Sequence, residues 1–224
     1  MINYVEPMAI SEKKPDAINF ETMKKLWNGC VPISPDNSAG IYLKSRLTKF
    51  IKPLNCGHKE GIIHPTDNQK YSALVAKIVS VESKTINLHL TYLTPSGEKA
   101  PVKPQKRVMA GKLPDGCAIR LFKEEPVLGI AEGIETALAA SIIYGIPVWA
   151  AINCTMLTKW VPPEGVEQVV VFGDNDRSYA GQASAYILAQ KLIARHHVKA
   201  DVVIPDRSGS DWADLIASKD LVLP

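Results

Sequence analysis

With 224 residues, 46% hydrophobic and 22% charged, the chain has material for one large domain or two small ones around an ordinary core. No apolar run approaches the roughly 20 residues of a membrane span, and the polar start MINYVEPMAISEKKPD is no secretory signal, so a cytoplasmic protein is expected. The net charge of +3 hides a split: residues 1–124 carry 19 Lys and Arg against 11 Asp and Glu, while residues 125–224 carry 7 against 12. A basic half joined to an acidic half suits a polyanion track beside a cation site.

Residues 1–17 read as a loose leader. INFETMKKLWNGCVPI, residues 18–33, has the spacing of a short amphipathic helix with Phe20, Met23, Leu26 and Trp27 on one face. After the break PISPDNSAG, AGIYLKSRLTKFI predicts a second helix with Tyr42, Leu43 and Leu47 inward and Lys44, Arg46 and Lys49 outward. From Gly61 the period changes. YSALVAKIVS and TINLHLTYLT read as strands, TPSGE as a turn, and the Pro-, Gly- and Lys-rich stretch that follows as strand and loop.

Beyond Pro126 the pattern alternates. VLGIAEG is a strand, and IETALAASIIYG a helix of strong formers closed by Gly145. IPVWAAIN is a second strand, TMLTKWV a short helix and VEQVVVFGDND a third strand. AGQASAYILAQKLIARHH is a long helix, KADVVIP a fourth strand, and SGSDWADLIASK an acidic loop and a helix. Such alternation implies right-handed crossovers and a largely parallel sheet, whose ligands gather at the carboxyl ends of the strands.

The acids fall at those ends. Glu132 follows the first strand, Asp174 and Asp176 end the third, and Asp211 and Asp214 follow the fourth. Taken alone, Gly-Asp-Asn-Asp reads equally as a polar turn, with Asn175 left-handed and Asp176 capping the next helix. Convergence of acids from separate stretches favours a cation site.

The chain resembles proteins built on a Toprim domain, the metal-binding α/β module of bacterial primases, type IA and II topoisomerases and some nucleases. The marks are Glu132 in GIAEGIETALAA and Asp174 and Asp176 in VVVFGDND. The likeness is nearest to primases of phages, plasmids and other mobile elements, through EGIETALA, DND before GQ, and DWADL. The N-terminal half is similar to the first subdomain of those primases in YLKSR and in LHLTYLTPSGEKAPVKPQKRVMAG. Leu47 stands where that family has Gly, and Leu90 where it has Arg.

The resemblance implies a C-terminal Toprim domain, residues 125–224, with a largely parallel sheet flanked by helices. A mixed α+β primase-like subdomain, residues 18–124, precedes it. It further implies a metal-dependent nucleotidyltransferase making short RNA primers from NTPs on single-stranded DNA, with Mg²⁺ or Mn²⁺. Asp174, Asp176 and Asp211 would hold the metal, and Glu132 would be either a further ligand or the general acid or base. Glu135 and Asp214 would stand behind them, each reading equally as a helix-start acid. Arg46, Lys103, Lys106 and Arg107 are the candidate phosphate contacts. No zinc ribbon or Walker A sequence is visible, so an isolated core is expected, either a natural small protein or a fragment, and a helicase or zinc-domain protein in trans is a candidate partner. A Toprim nuclease and a catalytically weak nucleic-acid-binding accessory protein are the alternatives. Cys56, His58 and His64, with Cys30 upstream, fit no common zinc module, and reduced cysteines without stoichiometric zinc are expected.

Overall fold

The computed structural model of the chain describes residues 19–218, so the expected leader lies outside the described residues. Helix α1 (Phe20–Asn28) starts where the Asn19 side chain accepts the Thr22 N–H at 3.0 Å. Helix α2 (Ser38–Leu47) starts in the same way at Asn37, and ends at Thr48 in the left-handed region (φ 60). Both helices are shorter than the sequence suggests, because these caps fix their ends.

An antiparallel sheet follows in chain order: β1 (Cys56–Ile63), β2 (Lys70–Val79), β3 (Thr85–Leu93) and β4 (Lys106–Val108). Its first strand escapes a periodicity reading. Lys59 pairs with Ala73 and Ile62 with Tyr71, so one extra residue is absorbed in a bulge around Gly61 (φ 68). That extra residue breaks the period-two alternation. His58, read in sequence as a conceivable zinc ligand, hydrogen-bonds Ser38 Oγ at 2.9 Å, and His64 Nε2 lies 3.1 Å from the Pro104 carbonyl.

Alternation along β3 sorts its side chains. Leu88, Leu90 and Tyr92 pack under α1 with Met23, Ala73 and Val75. Leu90, which stands where the resembling primases have Arg, is therefore a core residue here, as is Leu47. Phe20 is half exposed and does not join the inward face expected of it.

The second sheet has the order β6-β5-β7-β8, all parallel: β5 (Val127–Ala131), β6 (Val148–Ala150), β7 (Gln168–Phe172) and β8 (Lys199–Val203). Helices α3 (Ile134–Tyr144) and α6 (Trp212–Ser218) cover one face. The other face is covered by α4 (Cys154–Lys159) and α5 (Ala180–Lys191), the latter followed by a wide turn over Leu192–His196. Leu128, Ile130, Val169 and Val171 point to the α4–α5 side, while Ala131 and Phe172 point to the α3–α6 side. Gly129 is required in the middle of β5. A Cβ there would stand 2.6 Å from Val148 and 2.8 Å from Phe172.

The core on the α3–α6 side is shared by both halves. Tyr42, Leu43 and Leu47 of α2 and Leu74, Ala76 and Ile78 of β2 pack in one cluster with Ile134, Leu138, Phe172 and Trp212. The connector also ties the two sheets, with Ala118 bridging to Val79 and Ile119 to Ala150.

Candidate metal and nucleic-acid site

Ala131, Phe172 and Val203, the last residues of β5, β7 and β8, are register partners side by side. Adjacent strands lie about 4.8 Å apart, so whatever follows these residues emerges in a row along one sheet edge. Glu132 comes one residue after Ala131, and Asp174 two after Phe172. Asp211 comes at the end of the loop that leaves β8.

Asn175 ties that loop to the DND turn. Its N–H donates to the Ser210 carbonyl at 3.1 Å, its Nδ2 to the Pro205 carbonyl at 2.6 Å, and its carbonyl accepts from Gly209 N–H at 2.6 Å. Gln182 in turn donates to Asn175 Oδ1 at 2.7 Å. Asn175 does not take the left-handed conformation of the turn reading; Tyr179 does, at φ 61. Asp176 does serve the helix start, since its Oδ2 accepts Gly181 N–H at 3.0 Å. Trp212 completes the anchoring by donating from Nε1 to the Gly173 carbonyl at 3.2 Å while its ring packs edge-on against Phe172.

The electrostatics record the convergence. Burial, followed by the charges of Asp211, Glu132 and Asp176, pushes the Asp174 carboxyl up to about 7. The Thr136 hydroxyl, 3.4 Å from Asp174 Oδ1, opposes the shift. Four carboxylates that repel one another along one edge are a set of hard oxygen donors, which fits Mg²⁺ or Mn²⁺. Among the described residues, no three His, Cys, Asp or Glu side chains close into a cage around an ion. Asp211 is partly engaged elsewhere. It caps α6 by accepting Asp214 N–H at 2.8 Å, and Asp214 reaches back to Asp211 N–H at 3.3 Å. Asp214 thus sits at the start of α6 and also against Asp211 and Arg46, a position that suits both readings open in sequence.

The basic half meets this edge. Arg46 of α2 lies 3.4 Å from Asp214 and 3.8 Å from Asp211. Lys106 of β4 donates to Glu135 at 2.8 Å, and the Tyr42 hydroxyl donates to the other oxygen of the same carboxylate. Burial favours protonating Glu135, but Lys106 and these hydrogen bonds outweigh it and hold the carboxyl well below the usual range. Glu135 is therefore a buried bridge between α2, β4 and α3 rather than a loose acid at a helix start.

Lys106 and Arg107 read in sequence as one patch, yet β4 separates them. Lys106 is opposite Thr91 and Arg107 opposite Leu90, so the two point to opposite faces of the sheet. Lys103 is exposed in the loop before β4.

Sequence reasoning passed over several residues here. Cys154 donates from Sγ to Glu132 at 2.7 Å, and burial and that bond push its thiol up to about 11. Lys99 is held below the usual ammonium value, first by burial, and it senses Glu135, Lys106, Arg46 and Asp211. His89, buried on β3, is pushed down to about 4 by burial and by Lys106, which keeps it neutral. For Tyr42, spacing announced the inward face but gave no sign of a carboxylate partner.

Residues 127–220 match a Toprim domain, and residues 18–121 match a domain of unknown function, DUF7146. No curated protein matches the chain. Among solved structures, the primase fragment of the bacteriophage T7 primase-helicase protein aligns over 96% of this chain and 78% of its own, at 13% identity and a TM-score of 0.56. A DNA primase domain from Pseudomonas aeruginosa aligns over 70% of this chain and 52% of its own, at 12% identity and a TM-score of 0.46. A DnaG primase catalytic domain bound to ssDNA aligns over 71% and 54%, at 11% identity and a TM-score of 0.47. The chain thus spans about half the length of the last two. No described helix is long and apolar enough to cross a membrane.

Proposed function

We propose that the chain is a primase-like nucleotidyltransferase core that builds short RNA primers from NTPs on single-stranded DNA. The observation that carries this reading is the acidic edge, where in-register strand ends deliver Glu132 and the DND turn beside Asp211, faced by Arg46, Lys99 and Lys106. The Toprim match over residues 127–220 and the fold shared with the T7 primase fragment support it.

Asp174, Asp176 and Asp211, with Glu132, would hold Mg²⁺ or Mn²⁺. Such an ion, when bound, neutralises phosphate charge and helps align nucleophile and leaving group. The chain's own groups do the rest. Thr136 orients Asp174, Cys154 holds Glu132 where it can accept a proton, and Glu135 keeps the Lys106 ammonium beside the edge. Lys103, Arg107 and Arg46 would meet phosphates of template or nucleotide. In this reading residues 18–124 guide nucleic acid and residues 125–224 carry the chemistry. A helicase or zinc-domain protein acting in trans is a compatible partner.

The test is incubation with single-stranded DNA, labelled NTPs and Mg²⁺ or Mn²⁺. Extension products that vanish in Asp174→Asn support the reading. Cutting of the DNA identifies a nuclease instead, and binding with neither product identifies an accessory protein.

A further inference from the structure

The two oxygens of Asp211 are not equivalent. Oδ1 accepts the Asp214 N–H at 2.8 Å and so belongs to the start of α6. Oδ2 is the one left for a cation, and Nη2 of Arg46 lies 3.8 Å from it. The same nitrogen is 3.4 Å from Oδ1 of Asp214. Arg46 thus leans on two carboxylates through one nitrogen, at distances longer than the roughly 2.8 Å of a closed guanidinium–carboxylate fork. Its Nε is buried and has no hydrogen-bond partner among the described residues. Placement on α2 brings it there. Tyr42 and Arg46, four residues apart, share one face of the helix, and that face meets Glu135 and the start of α6. Lys44 falls about 200° round the helix from Arg46 and is exposed. Asp211 in turn lies close enough to Asp174 to lead the charges that act on it.

We propose that Arg46 competes with a divalent ion for Asp211 Oδ2 and yields it when phosphate arrives, so that the chain takes up ion and phosphate together in preference to ion alone. The inference rests on the reading of the acidic edge as a metal site. Two cations at one oxygen repel each other, and with the Arg46 and Asp211 side chains 32% and 30% exposed, water screens that repulsion only in part. A bare ion therefore binds against the guanidinium. Phosphate reverses the balance. A guanidinium carries five N–H donors in a planar fork that fits phosphate oxygens, whereas its pairing with Asp211 and Asp214 occupies a single nitrogen. A phosphate arriving beside the ion offers Arg46 closer hydrogen bonds than it gives up. Linkage makes the effect reciprocal: phosphate tightens the ion by the same factor by which the ion tightens phosphate.

Calorimetry with Mn²⁺ alone, on the whole chain at an ionic strength of about 0.15 M, tests it. Arg46→Gln should bind Mn²⁺ about three- to tenfold more tightly than the wild type, the range expected of one partly screened charge pair. Arg46→Lys keeps the charge and should stay near the wild type. Lys44→Gln removes the same charge from the far side of α2 and should change nothing. Sulfate, standing in for phosphate at matched ionic strength, should tighten Mn²⁺ binding in the wild type and do so less in Arg46→Gln. That arm stands on the wild type should Arg46→Gln fail to fold. No gain in Arg46→Gln overturns the proposal, as does an equal gain in Lys44→Gln or a sulfate effect absent from the wild type. A wild type that binds no Mn²⁺ brings down the metal reading of the acidic edge as well. Mn²⁺ binding that is lost in Asp174→Asn but unmoved in Arg46→Gln brings down this inference alone.

Discussion

Replacing Asp174 with Asn removes a carboxyl that its surroundings push from 3.8 up to about 7. Between those values the folded chain keeps a proton that the unfolded chain has lost, so this group's contribution to stability falls as pH rises through the window and is flat above it. At roughly 1.4 kcal/mol per pH unit, the interval from 3.8 to about 7 corresponds to about 4 kcal/mol. The carboxyl keeps some contact with water, and about half of that, near 2 kcal/mol, is the realistic penalty at alkaline pH. Asn preserves the shape and can still accept from Thr136. Thermal unfolding in chelator should therefore show Asp174→Asn more stable than the wild type by about 4–8 °C at about pH 8, given 2–4 °C per kcal/mol for a chain of this length. The gain should shrink by more than half at about pH 5, where the wild-type carboxyl is protonated in the fold. Adding Mn²⁺ should stabilise the wild type and leave the variant unmoved. An equal gain at both pH values, or a variant less stable at pH 8, would refute the reasoning.

Asp176→Asn should lose Mn²⁺ binding in calorimetry while its circular dichroism stays unchanged; unaltered affinity would remove Asp176 from the site. Gly181→Ala places a Cβ 2.6 Å from the Asp174 carbonyl oxygen. It should cost about 1–3 kcal/mol in denaturant unfolding and weaken Mn²⁺ binding about tenfold by moving the DND turn, so an unaffected metal affinity would count against that turn. In salt titrations of single-stranded DNA affinity, Arg107→Ala should flatten the slope by about one unit, and Lys106→Ala by less, because Glu135 already neutralises Lys106. Equal effects of the two would mean that Lys106 leaves Glu135 to meet phosphate.

The parallel sheet was legible in the sequence because its strands are short apolar runs closed by Gly, Asn or Asp, and its helices are rich in strong formers. The acidic edge followed, since topology alone sends the residues after β5, β7 and β8 to one side. The strand β1 was hidden by its bulge, which slips the alternation by one residue between Lys59 and Ile62. Phe20 was misplaced because helical spacing does not say how far a short terminal helix lies over its sheet. The partners of Glu135 could not be read at all: Tyr42 lies 93 residues away from it and Lys106 29, and no local rule encodes that encounter. Nor does adjacency in sequence reveal that Lys106 and Arg107 part company, unless β4 is first recognised as a strand.

The cluster in which α2 and β2 pack with α3, Phe172 and Trp212 bears on how such a chain can be inherited. A family boundary falls near residue 125, yet no apolar surface is completed there. Tyr42, Leu43 and Leu47 furnish part of the lining on which α3 and α6 sit, so the Toprim half has no finished interior of its own on that side. Recombination that joined this half to an unrelated N-terminal segment would have to bring a matching α2, including a hydroxyl for Glu135, or recut the exposed face of α3. The two segments are therefore constrained to drift together, with substitutions in α2 answered across the boundary by α3 and α6.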